Sequence, residues 1–311
     1  MARPRPIDTS LAALVHPRYW LSWAWLVLMR LLSHLPLRAI WLLGAVVGMV
    51  LYVLHSGRRH VARRNLERCF PQLRPAQREQ LVRRHFRALG QTLLDNGIAW
   101  WSSKRRLKRL FRIRGREHYD HALARGQNII LLVPHFLGLE AAVNRLALER
   151  PMVTVFRHPD NVPLRVVVER GRKRFGLKLI EHNQPLTALV RAVKSGTPLY
   201  YLPDQDAGRR NAVFAPFFGT PASTFAALGR LAKMTDAVVI PCLARQRVYG
   251  AGYEIVFQPP LKNFPTGDVA ADATRMNAEI EKYVRKWPAQ YFWVHKRFKT
   301  RPEGEGNFYG K

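Results

Sequence analysis

At 311 residues, 48% of them hydrophobic, the chain is long enough to bury a sizeable core and too apolar for global disorder. Its 51 Lys and Arg against 21 Asp and Glu give a net charge of +30. Such a surface calls for an anionic partner: nucleic acid, acidic lipid, a phosphorylated substrate or an acidic protein. Two cysteines, Cys69 and Cys242, exclude a disulfide framework and a multi-cysteine metal site, and agree with a reducing compartment.

No short apolar core with a small-residue cleavage site opens the chain, so no cleaved signal peptide is expected. Two apolar blocks lie close together instead. Tyr19–Leu35 carries only Arg30, and Ala39–Leu54 carries no charge; Pro36–Arg38 divides them. As a helix the second block covers about 24 Å, short of the roughly 30 Å of bilayer hydrocarbon. Trp20, Trp23, Trp25 and Trp41 suit a membrane interface. Both flanks are basic: Arg3, Arg5 and Arg18 before, Arg58, Arg59, Arg63 and Arg64 after. That symmetry permits a shallow hairpin or one tilted span and does not choose. Residues 1–57 are expected to form an N-terminal hydrophobic membrane-anchor helical segment.

Residues 58–115 read as a helical, basic, membrane-proximal region. Leu81, Phe86, Leu89 and Leu93 recur at helical spacing. The run from Trp100 to Gly115 joins two tryptophans to dense positive charge, which suits either a solvated face or lipid headgroups.

From 116 to 311 the pattern becomes α/β. Short apolar runs at 128–133, 152–156, 199–202, 237–243 and 253–257 read as strands, with helical stretches between them. This alternation predicts a mostly parallel mixed sheet covered by helices. Glycine-rich phosphate loops of the GxGxxG and GxxxxGK[ST] types are absent.

Chemistry concentrates where the first apolar run ends, in Val-Pro-His135-Phe-Leu-Gly-Leu-Glu140. Pro134 stops strand pairing and leaves His135 at the strand's carboxyl end, where open α/β sheets gather ligands and catalytic groups. With His135 in the turn and Glu140 on the next helix, the carboxylate can reach back to fix the imidazole tautomer. The same spacing also suits a helix-capping histidine and an unrelated glutamate. Asp204 and Asp206 follow another strand; turn formation explains them equally well. Arg172 and Arg157 are two of many arginines, and His295 reads as structural or surface.

Several longer motifs carry a resemblance. "HPRYWLSW" (16–23), "RRNLERCFPQL" (63–73), "HFLGLE" (135–140), "RHPDN" (157–161), "YLPDQDAGRRNAVFAPFFGTPAST" (201–224) and "QYFWVHKRFKTRPEG" (290–304) together span nearly the whole chain. They resemble the late acyltransferases of lipid A biosynthesis, within the glycerolipid acyltransferase superfamily. One departure is Val162, which separates Asn161 from Pro163 where the family runs Asp-Asn-Pro.

The resemblance implies transfer of a fatty acyl chain, usually laurate, from acyl-acyl carrier protein to the 3-hydroxyl of a hydroxyacyl chain on Kdo2-lipid IVA. It implies His135 as general base with Glu140 orienting it, and Arg172 and Asp204 as substrate-binding residues; Arg157 is a further candidate for binding phosphate or the carrier protein. Backbone N–H groups where the helix begins after His135 are the expected oxyanion donors. No metal or cofactor is expected. The expected partners are acyl carrier protein, Kdo2-lipid IVA and anionic membrane lipid, at the inner membrane with the catalytic domain on the cytoplasmic face. Rival readings are the later myristoyl transfer, lysophospholipid acylation, a basic nucleic-acid-binding protein and a membrane scaffold with an inactive site.

Overall fold

The computed structural model describes residues 14, 16–210 and 212–310; the expected basic residues Arg3 and Arg5 lie outside them. Helices come first: α1 (Trp20–Leu32), α2 (Leu37–Leu54), α3 (Ser56–Cys69), α4 (Pro75–Trp101) and α5 (Lys104–Leu110). Alternation follows: β1 (Phe111–Arg114), α6 (Arg116–Ala124), β2 (Asn128–Leu132), α7 (Leu139–Ala147), β3 (Met152–Phe156), α8 (Val162–Lys173), β4 (Leu177–Glu181), α9 (Leu186–Lys194) and β5 (Leu199–Tyr201). The hairpin β6 (Ala212–Phe217) and β7 (Thr220–Phe225) precedes α10 (Ala227–Thr235), β8 (Ala237–Gln246), β9 (Tyr253–Phe257) and α11 (Val269–Lys286).

Seven strands form one sheet in the order β1-β9-β8-β2-β5-β3-β4. Every neighbouring pair is parallel except β8 with β9. The mostly parallel mixed sheet covered by helices is therefore present. Central strands β2 and β5 are buried at nearly every position, as strands covered on both faces must be.

The expected boundary at 116 cuts the sheet. β1 lies before it, yet pairs with β9 from Phe111↔Tyr253 to Arg114↔Val256. Nor do the three expected segments have separate cores. Val61, Leu66, Val82 and Phe86 of α3 and α4 share one apolar cluster with Ile130, Val153 and Leu199 of the sheet. Met29, Leu94 and Ile98 share the other with Leu131 and Ile240.

α4 carries the two N-terminal helices. A Cβ at Gly48 would sit 2.1 Å from the Phe86 carbonyl oxygen, and one at Gly90 would sit 2.2 Å from that of Gly44. Small residues at both positions let α2 and α4 approach backbone to backbone.

Asp95, buried on α4 beneath α2, accepts from Gln246 Nε2 at 2.9 Å. Burial raises its pKa to about 7, against the opposing effect of its polar neighbours Tyr253 and Gln246. The folded chain thus holds a proton that the unfolded chain releases near pH 3.8. Stability from this group is greatest below that pH and declines until pH passes about 7. Replacing Asp95 by Asn should remove the decline. Variant minus wild-type unfolding free energy should grow by about 1–3 kcal/mol from pH 5 to pH 8. Denaturant melts at the two pH values measure it, and an unchanged difference rejects the buried ionisation.

Candidate active site

The geometry follows from strand register. β2 and β5 pair in parallel with Leu132 opposite Tyr201. Val133 N–H continues the ladder to the Tyr201 carbonyl at 2.9 Å. His135 and Asp204 each lie three residues beyond these partners, so the two chains deliver them side by side. His135 Nδ1 is 2.5 Å from Asp204 Oδ1, and the His135 backbone N–H donates to Oδ2 at 2.8 Å.

A carboxylate only accepts, so Nδ1 carries a proton and Nε2 is the nitrogen left for exchange with another group. Asp204 is 1% exposed. Burial alone would raise its pKa, but the His135 charge and hydrogen bonds, with Arg297 behind them, reverse the effect and hold it low.

The carboxylate that orients His135 is therefore Asp204, not Glu140. Glu140 sits buried in the first turn of α7 and accepts from Trp100 Nε1 at 3.0 Å and from Arg172 Nε at 3.0 Å and Nη2 at 2.5 Å. No hydrogen bond joins it to His135 among the described residues. The reason is directional: helix α7 turns Glu140 toward α4 and α8, away from the strand ends. Burial favours the neutral acid, yet the Arg172 charge and hydrogen bonds, with the Trp100 indole, hold its pKa low. Both carboxylates stay ionised at neutral pH, and their pairing is lost only as pH falls below the ordinary carboxylate range.

Arg172, expected to bind substrate, is committed to Glu140 and stacks 4.6 Å from the Phe156 ring centroid. Asp204, also expected to bind substrate, touches the histidine instead. Arg157 is exposed just past β3. The first two N–H groups after His135 are unavailable as oxyanion donors: Phe136 gives its N–H to Pro134 O and Leu137 to Gln290 O.

The C-terminal segment closes the site. Phe292 N–H donates to the His135 carbonyl at 3.0 Å, Phe136 bridges Tyr291, and the Tyr291 hydroxyl donates to the Asp204 carbonyl at 3.3 Å. A small cleft beside His135 is lined by Asp204, Asn65, Phe292, His295 and Arg297. His295 Nε2 accepts the Asp206 N–H, and burial, then the nearby His135 charge, lower its pKa to about 4, so it stays neutral. Asp206 caps the Thr300 turn through bonds of 2.9 Å to its N–H and hydroxyl. Trp100 and Tyr291 were not singled out by the sequence; their signal was only that they lie in tryptophan- and aromatic-rich motifs.

An imidazole braced through Nδ1 by a buried carboxylate, beside a small cleft, is equipped to take a proton from a hydroxyl at its other nitrogen. Comparison with known proteins gives that arrangement a setting. The model of the bacterial lipid A biosynthesis acyltransferases matches residues 9–300. The chain belongs to this family.

Its relatives include the lipid A biosynthesis lauroyltransferase of Escherichia coli, 34% identical over 94% of this chain and 95% of that one. The palmitoleoyltransferase of the same organism is 33% identical over 95% and 96%. The myristoyltransferase is 30% identical over 93% and 90%. The chain is thus an acyltransferase of lipid A, and hence lipopolysaccharide, biosynthesis, while its relatives are named for three different acyl chains.

Glu140→Gln should destabilise the fold by about 3–5 kcal/mol, because it leaves the Arg172 guanidinium buried without its counter-charge. Adding Arg172→Met should recover part of that loss. Thermal melts of the single and double variants decide it; a double variant no more stable than the single one would show that the pair does not act as a unit.

Proposed function

We propose that the chain moves a fatty acyl group, laurate as the usual donor, from acyl-acyl carrier protein to the 3-hydroxyl of a hydroxyacyl chain on Kdo2-lipid IVA. The single observation that carries the chemistry is the 2.5 Å contact between His135 Nδ1 and Asp204 Oδ1. It leaves Nε2 as the base. As the substrate oxygen attacks the thioester carbonyl, Nε2 takes its proton and Asp204 stabilises the imidazolium. The tetrahedral intermediate collapses, the C–S bond breaks, and the imidazolium returns the proton to the departing thiolate. No covalent acyl-enzyme is required. Glu140 and Arg172 act as positioning residues that lock α7 against α4 and α8 behind the histidine.

Both proposed substrates are anionic, one a phosphorylated and Kdo-bearing lipid and the other an acidic carrier protein. The +30 charge favours their capture, and Arg157, which is exposed, is a candidate for such a contact. The acceptor is a membrane lipid and the carrier is cytosolic, so we place the enzyme on the inner membrane with its catalytic face toward the cytoplasm.

The test is mass spectrometry of Kdo2-lipid IVA after incubation with the detergent-solubilised chain and a mixture of lauroyl-, palmitoleoyl- and myristoyl-carrier protein. A single added laurate is expected; addition of another chain corrects the donor, and no addition rejects the reading. In the same assay His135→Ala should abolish transfer. Asp204→Asn should lower kcat by about 10²–10⁴, since the tautomer is no longer enforced. Near-wild-type turnover of Asp204→Asn with Glu140 intact would return the orienting role to Glu140.

A further inference from the structure

Among the described residues, thirteen of the seventeen large hydrophobic side chains left exposed lie between Trp20 and Leu54. On α2 they are Leu42, Leu43, Val46, Val50, Val53 and Leu54, spacings that fall on one face of a helix. On α1 they include Trp20, Leu21, Trp25, Leu28 and Leu31. Two more, Val248 and Tyr249, 65% and 72% exposed, stand at the tip of the turn between β8 and β9.

α2 is 18 residues, about 27 Å, and passes for a membrane-crossing helix by length and composition. Its surroundings argue otherwise. Its first turns touch the β8–β9 tip: the Trp41 and Tyr249 rings are 5.7 Å apart, and a Cβ at Gly250 would lie 2.6 Å from the Arg38 Cα. Its last turns touch the start of α4, where Tyr52 packs on Phe86 at 5.7 Å and its hydroxyl bonds Glu79, itself paired with Arg63 at 2.7 Å. One folded body thus holds both ends of the helix. A crossing helix would set those ends on opposite sides of the bilayer and draw the body between them into hydrocarbon. The adjoining part of α4 carries exposed Arg83, Arg84 and Arg87, with the Arg87 Cα 2.7 Å from a Cβ at Gly48, near the middle of α2. Arginine at that depth is heavily disfavoured.

We propose that α1, α2 and the Val248–Tyr249 tip form one lipid-facing surface that lies in the plane of a single leaflet of an anionic bilayer, with neither helix crossing it. Charge fits this partner. Exposed Lys104, Arg105, Lys108 and Arg109 of α5 lie toward the start of α2, where Arg106 donates to the Ser33 carbonyl in the preceding turn. Arg58 and Arg63 lie at its end. A helix lying flat meets headgroups at both ends, which accounts for basic flanks on both sides where a span would favour one. Tyr249 adopts φ 57, a conformation few non-glycine residues take, and presents its ring beyond the turn. Tyrosine suits the headgroup boundary. The inference rests on the membrane attachment proposed above and is independent of the acyl-transfer chemistry.

Full-length Val46→Cys and Tyr249→Cys variants, labelled with an environment-sensitive fluorophore, would be reconstituted in phosphatidylethanolamine–phosphatidylglycerol vesicles. Native Cys69 and Cys242 are buried, and labelled wild type supplies the control. Nitroxide lipids spin-labelled near the headgroup or near the chain end then report depth. Both sites should be quenched at least about twofold more by the shallow label, because an in-plane helix sits only about 5–10 Å deep. Stronger quenching of residue 46 by the deep label overturns the in-plane arrangement. Absence of quenching at residue 249 removes the tip from the surface. A chain that fails to float with the vesicles overturns the attachment itself.

Discussion

Everything at the candidate site hangs on the parallel pairing of β2 with β5. With Leu132 opposite Tyr201, the two chains leave the sheet in step, and equal three-residue overhangs set an imidazole against a carboxylate. A slip of one residue would turn one of these side chains to the other face. The register is held by burial: Ile130, Leu131, Leu132, Leu199 and Tyr200 are at most 1% exposed, so any shift would pull apolar groups out of two packed layers. The C-terminal segment grips the same loop from the far side through Gln290 and Phe292. The histidine is thus fixed by the sheet and by the end of the chain together.

How much of this was legible depended on distance along the chain. An apolar run closed by proline announced the end of β2, and His135 with it. The five strands expected from apolar runs are present, because buried central strands need such runs. β4 "LKLIE" and β1 "FRIR" form the edges of the sheet and mix charge with apolar residues, so they left no such run. The hairpin β6–β7 also escaped notice, although its residues fell inside a recognised motif. Glu140 was a natural partner for His135 only because it was near in sequence. The actual partner is 69 residues away, and that pairing exists only once strand order is known. The Arg172–Glu140 pair, 32 residues apart, was hidden for the same reason, and so was the indole of Trp100, which reaches inward to Glu140 instead of outward to lipid.

α4 links the apolar helices to the chemistry. Along its length it receives α2 at Phe86 and Gly90, then α1 at Gly97, where a Cβ would meet the Met29 carbonyl at 2.6 Å. Near its end Trp100 holds Glu140. A single helix 27 residues long therefore spans from the exposed apolar surface to the brace behind His135. With that surface on lipid, the position of the site relative to the bilayer is set by one rigid element.

The two buried carboxylates of the site differ in what neutralises them, and in the proposed chemistry this difference separates their work. Glu140 faces a guanidinium that never releases its proton, so its charge is matched at every stage of a reaction and its environment does not change. Such a pair serves geometry. It also sits in the first turn of α7, where the helix dipole favours an anion. Asp204 faces a group that titrates. Two hydrogen bonds from His135 hold the carboxylate throughout, with Arg297 as a more distant charge. When Nε2 takes a proton, the full attraction between imidazolium and carboxylate is switched on, in a buried setting where it is strong. The interaction therefore grows along the path toward proton transfer, which is the condition for an interaction to lower a barrier and not merely tighten a complex. Only the aspartate is placed to do so.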